Sequence, residues 1–295
     1  MHMRWAPIAP GYAGAYACST MNHPRLSRLA AGLGLAFTLA ALPAAFVWGQ
    51  DGVTVRKEST LAKLVPASEI EKASSQQYAQ LKQQAAAKGA LAPPGDPQLQ
   101  RVRAIAQRIM PFASKWNPRA ANWQWEVNLL RSDQINAFCM PGGKIAFYTG
   151  IINKLQLTDA EIAIVMGHEM SHALREHARA RVGQQAATNI GASILSQIFG
   201  LGETGNAVLG ASASLLTLRF SRTDETEADA VGLELAARAG YDPRAGVTLW
   251  QKMQSASQGA PPQWMSSHPS DSSRIAEIQR RLPEVMPLYE RARRG

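Results

Sequence analysis

The stretch Leu157-Thr158-Asp159-Ala160-Glu161-Ile162-Ala163-Ile164-Val165-Met166-Gly167-His168-Glu169-Met170-Ser171-His172 constrains this chain most, because it reads as one helix with two histidines a turn apart. Thr158 and Glu161 form a Thr-x-x-Glu capping box, so the helix start is written just before its apolar run. A four-residue step is about one helical turn. His168 and His172 therefore share a face, and their imidazoles converge on a point where a metal ion can sit roughly 2.0–2.1 Å from each nitrogen. Glu169 leans toward the same point, where a His-Glu-x-x-His helix carries the general base that takes a proton from the attacking water. Chance matches to so short a pattern occur on ordinary amphipathic helices, and a satisfied polar cluster is the competing reading. Against it, Ile162 to Gly167 make the helix apolar nearly all round. It should be buried, and buried ionisable side chains need partners or a metal.

The N-terminus reads as an export signal. Residues 1–49 hold Arg4, Arg25 and Arg28, no acidic residue, and an uncharged apolar stretch from Leu29 to Trp48 broken by Pro43. Val47-Trp48-Gly49 suits a signal peptidase, with cleavage expected after Gly49. An uncleaved anchor is the alternative, since about 20 apolar residues span a bilayer. Met21 is an alternative start that would leave residues 1–20 untranslated. The expected location is the periplasm, with peripheral association with a membrane left open. The chain carries a formal net charge of +9, and it stays mildly basic once the leader is removed. Its surplus sits partly in Arg280-Arg281 and around Arg291, Arg293 and Arg294, without a long basic run interleaved with aromatics, which argues against nucleic acid as a partner. Only Cys139 lies beyond the leader, so no intrachain disulfide is expected there.

Residues 50–95 read as a helical lead segment. Its Gln-, Ala- and Lys-rich part, residues 68–88, suggests an exposed helix ended by Gly89, and Pro93-Pro94-Gly95-Asp96-Pro97 is a hard break. The main domain, residues 96–295, opens on a core-facing helix in which Leu99, Val102, Ile105, Ile109 and Met110 recur at helical spacing. Trp123 to Leu129, Ile135 to Phe138 and Lys144 to Tyr148 alternate as strands, and Pro141-Gly142-Gly143 joins the last two, which predicts a small antiparallel sheet. Its edge at Asn136, Ala137 and Phe138 can take an extended peptide as an added strand. A purely structural hairpin explains the alternation equally well.

After the histidine helix, Arg175, His177, Arg179 and Arg181 read as a solvated tail. His177 lies nine residues after His168, with Arg175 where the metzincin pattern needs Gly, so that pattern is rejected and His177 is expected at the surface or just behind the site. Residues 182–218 are small and nearly uncharged, suggesting a packed hairpin, a lid or a membrane-touching element. From Ser221 a further helix runs toward Gly240. It sets Glu225 and Asp229 a turn apart, so that Glu225 can give a carboxylate oxygen to the metal while Asp229 accepts the outer N–H of a ligand histidine. Glu227 points elsewhere. Acidic residues also gather at helix N-termini for dipole reasons, which explains their charge but not their pairing with the histidine helix.

Four elements in order resemble the zinc metallopeptidase family of the CAAX prenyl protease and the HtpX-like proteases, in its exported branch. They are Asn136-Ala137-Phe138 with Pro141-Gly142-Gly143, then Gly167 to His172, then Ser221-Arg222 with Glu225 and Ala228-Asp229, and last His268-Pro269-Ser270 with Arg274-Ile275. The resemblance spans roughly residues 96–283. It implies an α+β, mainly helical, gluzincin-type fold with a small antiparallel sheet beside the His-Glu-x-x-His helix. It also implies one Zn2+ per chain held by His168, His172 and Glu225, with Glu169 as base and Asp229 and Arg222 behind the ligands. His268 is implied near the site, either steadying the transition state or filling the metal's open position, on a loop before a helix that Ser270 can cap. The expected function is endopeptidase action on misfolded or envelope proteins. A chaperone-like outer-membrane assembly factor with a mostly blocked site is the alternative.

Overall fold

The computed structural model describes residues 51–187, 213–216, 218–257, 262–268 and 273–294. The expected leader, most of the small-residue stretch 182–218, and Ser270 with its expected cap lie outside them.

Helix α1 (Ala67–Ala87) is not the wholly exposed helix expected. Ile70, Ala73, Ser74, Gln77 and Tyr78 recur three or four apart and bury one face. That face lies on the sheet, where the Tyr78 hydroxyl donates to the Ile145 carbonyl and accepts from Asn128 Nδ2 at 3.2 Å. Helix α2 (Pro97–Ile109) matches its periodicity. Asp96 caps it by accepting from the Gln98 and Leu99 amides, and Leu99, Val102, Ile105 and Ile109 are buried.

Strands β1 (Glu126–Leu130), β2 (Ala137–Met140) and β3 (Lys144–Tyr148) form a sheet in the order β1-β3-β2. The turn makes β2 and β3 antiparallel, as expected, but β1 pairs with β3 in parallel, Val127 opposite Ile145, so the sheet is mixed rather than antiparallel. The physical reason lies in what surrounds β1. Its outer edge is already taken by Leu91 and Ala92, whose amide donates to Leu129 O at 3.0 Å. Residues 131–136 therefore cross the end of the sheet and β3 returns into the middle. Gly142 and Gly143 turn the hairpin at positive φ, and a Cβ on Gly143 would meet the Trp125 ring at 2.7 Å. The result leaves β2 at the sheet's edge.

Helix α3 (Thr149–Lys154) leads into α4 (Asp159–Leu174), the centre of the molecule. The Thr158–Glu161 capping box forms on both sides, and every residue from Glu161 to Leu174 is buried. Around it pack α2, β2, α7 (Arg222–Arg238) and α8 (Ala245–Ala256), with α5 (His177–Ala186) and α6 (Ala213–Leu216) beyond its C-terminal end. The short α9 (Gln263–Ser267) and the long α10 (Ser273–Ala292) complete the order.

Two glycines set the crossing of α4 and α7. A Cβ on Gly167 would lie 2.6 Å from Gly232 O, and one on Gly232 would lie 2.7 Å from His168 N, so the helices meet backbone to backbone. Neither contact can be relieved by rotating a side chain. Gly232→Ala should lower the unfolding free energy in urea by roughly 1–3 kcal/mol or more, the cost of overpacking a tight core. A loss under about 0.5 kcal/mol, the scale of an ordinary surface substitution, would show that the helices have room to part.

Candidate metal centre

Helix α4 turns His168 and His172 inward, each 2% exposed, with their Nε2 atoms 3.2 Å apart. The Gly167–Gly232 contact brings α7 against the same face. That helix begins with a Ser221–Asp224 capping box, which places Glu225 in its first turn. Glu225 Oε2 lies 3.5 Å from His168 Nε2, and its Oε1 lies 3.5 Å from His172 Nε2. One turn on, Asp229 Oδ1 is 2.9 Å from His168 Nδ1. That contact assigns the His168 proton to Nδ1, which donates to Asp229, and turns the Nε2 lone pair toward the cluster.

His268, which caps the C-terminal end of α9, is the fourth member. Its Nδ1 lies 3.3 Å from His168 Nε2 and 3.1 Å from Glu225 Oε1, and its side chain is buried. The donor atoms of His168, His172, Glu225 and His268 all fall within 4.8 Å of one another. These separations test whether an ion fits. A tetrahedral centre with bonds of about 2.0–2.1 Å has ligand–ligand edges of about 3.3–3.4 Å. Five of the six pairs in the cluster approach to 3.1–3.5 Å, close to those edges, so three imidazoles and a carboxylate gather at a spacing an ion can bridge.

The charges agree with that fit. Burial alone would raise the Glu225 pKa, but His268, His168 and His172 hold the carboxyl well below its usual range. Burial pushes His172 well below its ordinary value. His168 is also disfavoured as a cation by burial, yet its bonds to Asp229 and Glu225 outweigh this and raise it to about 9. An ion arriving at Nε2 would compete with that proton, since imidazole binds metal only when neutral.

Glu169 is buried beside the cluster, with Oε1 accepting from Trp264 Nε1 at 2.5 Å and lying 3.5 Å from His268 Nε2. It opens on a cavity walled by Asn136, Ala137 and Phe138 together with His172, Phe220 and His268. The three residues expected to receive a peptide thus face the cluster from the sheet edge. Cys139 lines the same cavity, and burial, with the Glu169 charge adding to it, raises its thiol pKa well above the usual value.

Two expectations are corrected. Arg222 is exposed on the first turn of α7, and the buried guanidinium beside the carboxylates belongs to Arg274. Arg274 clamps Asp229 through Nε and Nη2 at 2.8 and 2.6 Å, reaches Glu225 Oε2 at 2.8 Å, and lies 3.7 Å over the Trp250 ring. The solvated tail is also overturned, because Arg175 and His177 are buried at 9% and 3% exposure. Glu176 between them takes a left-handed φ of 57°, which folds the chain back at the end of α4. Its carboxylate is gripped by Arg119 and by Arg179 at 2.6 Å.

Residues 97–282 match the model of Peptidase family M48. The chain belongs to that family. Among curated M48-like relatives, it is 36% identical to the mitochondrial metalloendopeptidase OMA1 of Arabidopsis thaliana over 58% of this chain and 35% of that one. It is 33% identical to the mitochondrial metalloendopeptidase OMA1 of Bos taurus over 59% of this chain and 35% of that one. It is 29% identical to the beta-barrel assembly-enhancing protease of Escherichia coli strain K12 over 65% of this chain and 41% of that one. The chain therefore spans only about a third to two fifths of the length of these relatives.

Arg274 and Trp264 hold the M48 site together from α10 and α9, and only Arg274 left a trace in the sequence, as part of the last matched motif. Arg274→Met should leave the Asp229 and Glu225 carboxylates buried without their cation and cost about 3–5 kcal/mol. Arg274→Lys should recover little, since an ammonium cannot reproduce a bidentate clamp. Urea unfolding of the two variants checks this, and a loss under about 1 kcal/mol for either would contradict it.

Proposed function

We propose that this chain is a zinc-dependent endopeptidase that cleaves extended or misfolded polypeptides. The observation that carries this reading is the buried set of four donors within 4.8 Å of one another directly beside the buried carboxylate of Glu169, with His172, His268 and Glu169 lining the cavity under the β2 edge. His168, His172 and Glu225 would hold the ion. Zinc bound there would polarise a peptide carbonyl and bring the pKa of a water toward about 7. The chain's own residues do the rest. Glu169 takes the proton of the attacking water and returns it to the leaving amine, while Trp264 fixes its Oε1 in place. Ala137 and Phe138, on an edge strand, offer backbone groups along which an extended substrate adds as a further strand. Asp229, held by Arg274, keeps His168 in the ligating tautomer.

Glu169→Gln should retain zinc and lose cleavage of an unfolded protein substrate by roughly 10²–10⁴-fold, the scale of a lost general base. Loss of less than tenfold with zinc intact would remove Glu169 from the chemistry.

We further propose that the protein works in the cell envelope. The leader at residues 1–49 supports export, and the name of the beta-barrel assembly-enhancing relative supports envelope clients. Among the described residues no helix is long and apolar enough to cross a membrane.

The second reading, an assembly factor whose protease site rests closed, is favoured by one observation. His268 Nδ1 lies 3.3 Å from His168 Nε2 and 3.1 Å from Glu225 Oε1, close enough to take the position that a catalytic zinc site keeps for water. We propose that His268 is a displaceable fourth ligand rather than an oxyanion donor. His268→Ala should then raise the cleavage rate of an unfolded substrate at equal zinc content. A fall of about 10²-fold would mark it instead as an oxyanion donor, and no change would remove it from both roles.

A further inference from the structure

His168 and His172 are secured from behind in different ways. His168 donates its outer N–H to the Asp229 carboxylate, whereas His172 Nδ1 meets another imidazole nitrogen, His177 Nδ1, at 3.0 Å. Two ring nitrogens at that distance need one N–H and one lone pair between them. Since His172 presents Nε2 to the cluster, its proton sits on Nδ1, and His177 Nδ1 must be the acceptor. The His177 proton is thereby placed on Nε2.

Where Nε2 points accounts for that placement. It is buried without a hydrogen-bond partner, 3.9 Å from Asp224 Oδ1 and 3.7 Å from Glu227 Oε2. A bare lone pair facing two carboxylates would be repelled, and an N–H facing them is attracted. The two carboxylates are not a second metal site, because guanidinium groups already occupy them. Arg56 pairs with both, its Nε 2.5 Å from Glu227 Oε2, and Arg175 Nε lies 2.5 Å from Glu227 Oε1. The left-handed Glu176 is what aims His177 at this spot. A non-glycine residue held in that conformation costs of order 1–3 kcal/mol and persists only where its surroundings demand it.

We infer that His177 is a positioning residue that fixes the tautomer and ring orientation of His172, and so sets how tightly the centre holds its metal. The inference rests on the proposed role of His172 as a zinc ligand. It makes His177 the imidazole counterpart of Asp229, and links the Arg56 segment to the centre through Glu227, Asp224 and His177.

The test is zinc affinity, measured by chelator competition on the full chain, together with melting of the metal-free protein. His177→Phe keeps the ring but offers no acceptor and should weaken zinc binding about 10–100-fold, the usual cost of losing such a partner. His177→Asn places an amide oxygen where Nδ1 stood and should restore affinity to within about threefold, although its packing is smaller. Should the Phe variant fail to fold, His177→Met, which also lacks a nitrogen acceptor, takes its place. Wild-type affinity in the Phe or Met variant would overturn the inference. So would an Asn variant as weak as Phe, which would reduce His177 to packing. Failure of the wild-type chain to bind zinc would instead sink the underlying ligand assignment.

Discussion

Everything at the centre depends on how closely α4 can approach α7. His168 and His172 sit on one helix and Glu225 and Asp229 on the other, so whether imidazole and carboxylate meet is set by the distance between two helix backbones. Ordinary helix pairs pack with their axes 8–10 Å apart, separated by side chains. Here Gly167 and Gly232 remove the side chains at the crossing, one residue before His168. The rigidity of both helices then carries that registration one and two turns along, to the donors.

Closing the helices this tightly concentrates charge in a dry interior, and the surrounding residues resolve it in layers. The Glu225 and Asp229 carboxylates share Arg274, and Glu169 is held by Trp264. Behind His172, His177 and two further carboxylates are balanced by Arg56 and Arg175. The buried carboxylates of Glu225, Asp229 and Glu227 thus each have a cationic partner from a different element, which is the condition under which buried ion pairs are tolerated. Because those partners come from the segment near residue 56 and from α10, the site draws on elements far apart in the chain.

This layering separates what was legible in the sequence from what was not. The capping box, the two-histidine face of α4, the Leu99–Ile109 face of α2 and the one-turn spacing of Glu225 and Asp229 are all properties of single helices, fixed by local periodicity. They were read correctly as helices with those faces. The parallel pairing of β1 with β3 was missed because it depends on Leu91 and Ala92 covering the other edge of β1, a contact between segments some forty residues apart. Residues 175–181 looked like a charged tail because nothing local announces that Glu176 turns left-handed. Tyr78 disappeared into a Gln- and Ala-rich helix whose apolar stripe is thin. Arg274 stood in a matched motif without a role, since a sequence shows its charge but not the two carboxylates it will meet.

The central claim is that His168, His172, Glu225 and His268 converge on one ion. Zinc-edge X-ray absorption of the purified full chain tests it most directly. The account predicts one zinc per chain, with four nitrogen or oxygen neighbours at about 2.0–2.1 Å and outer-shell scattering from three imidazoles. A sulfur shell near 2.3 Å, a six-oxygen environment, or fewer than three imidazoles would contradict it.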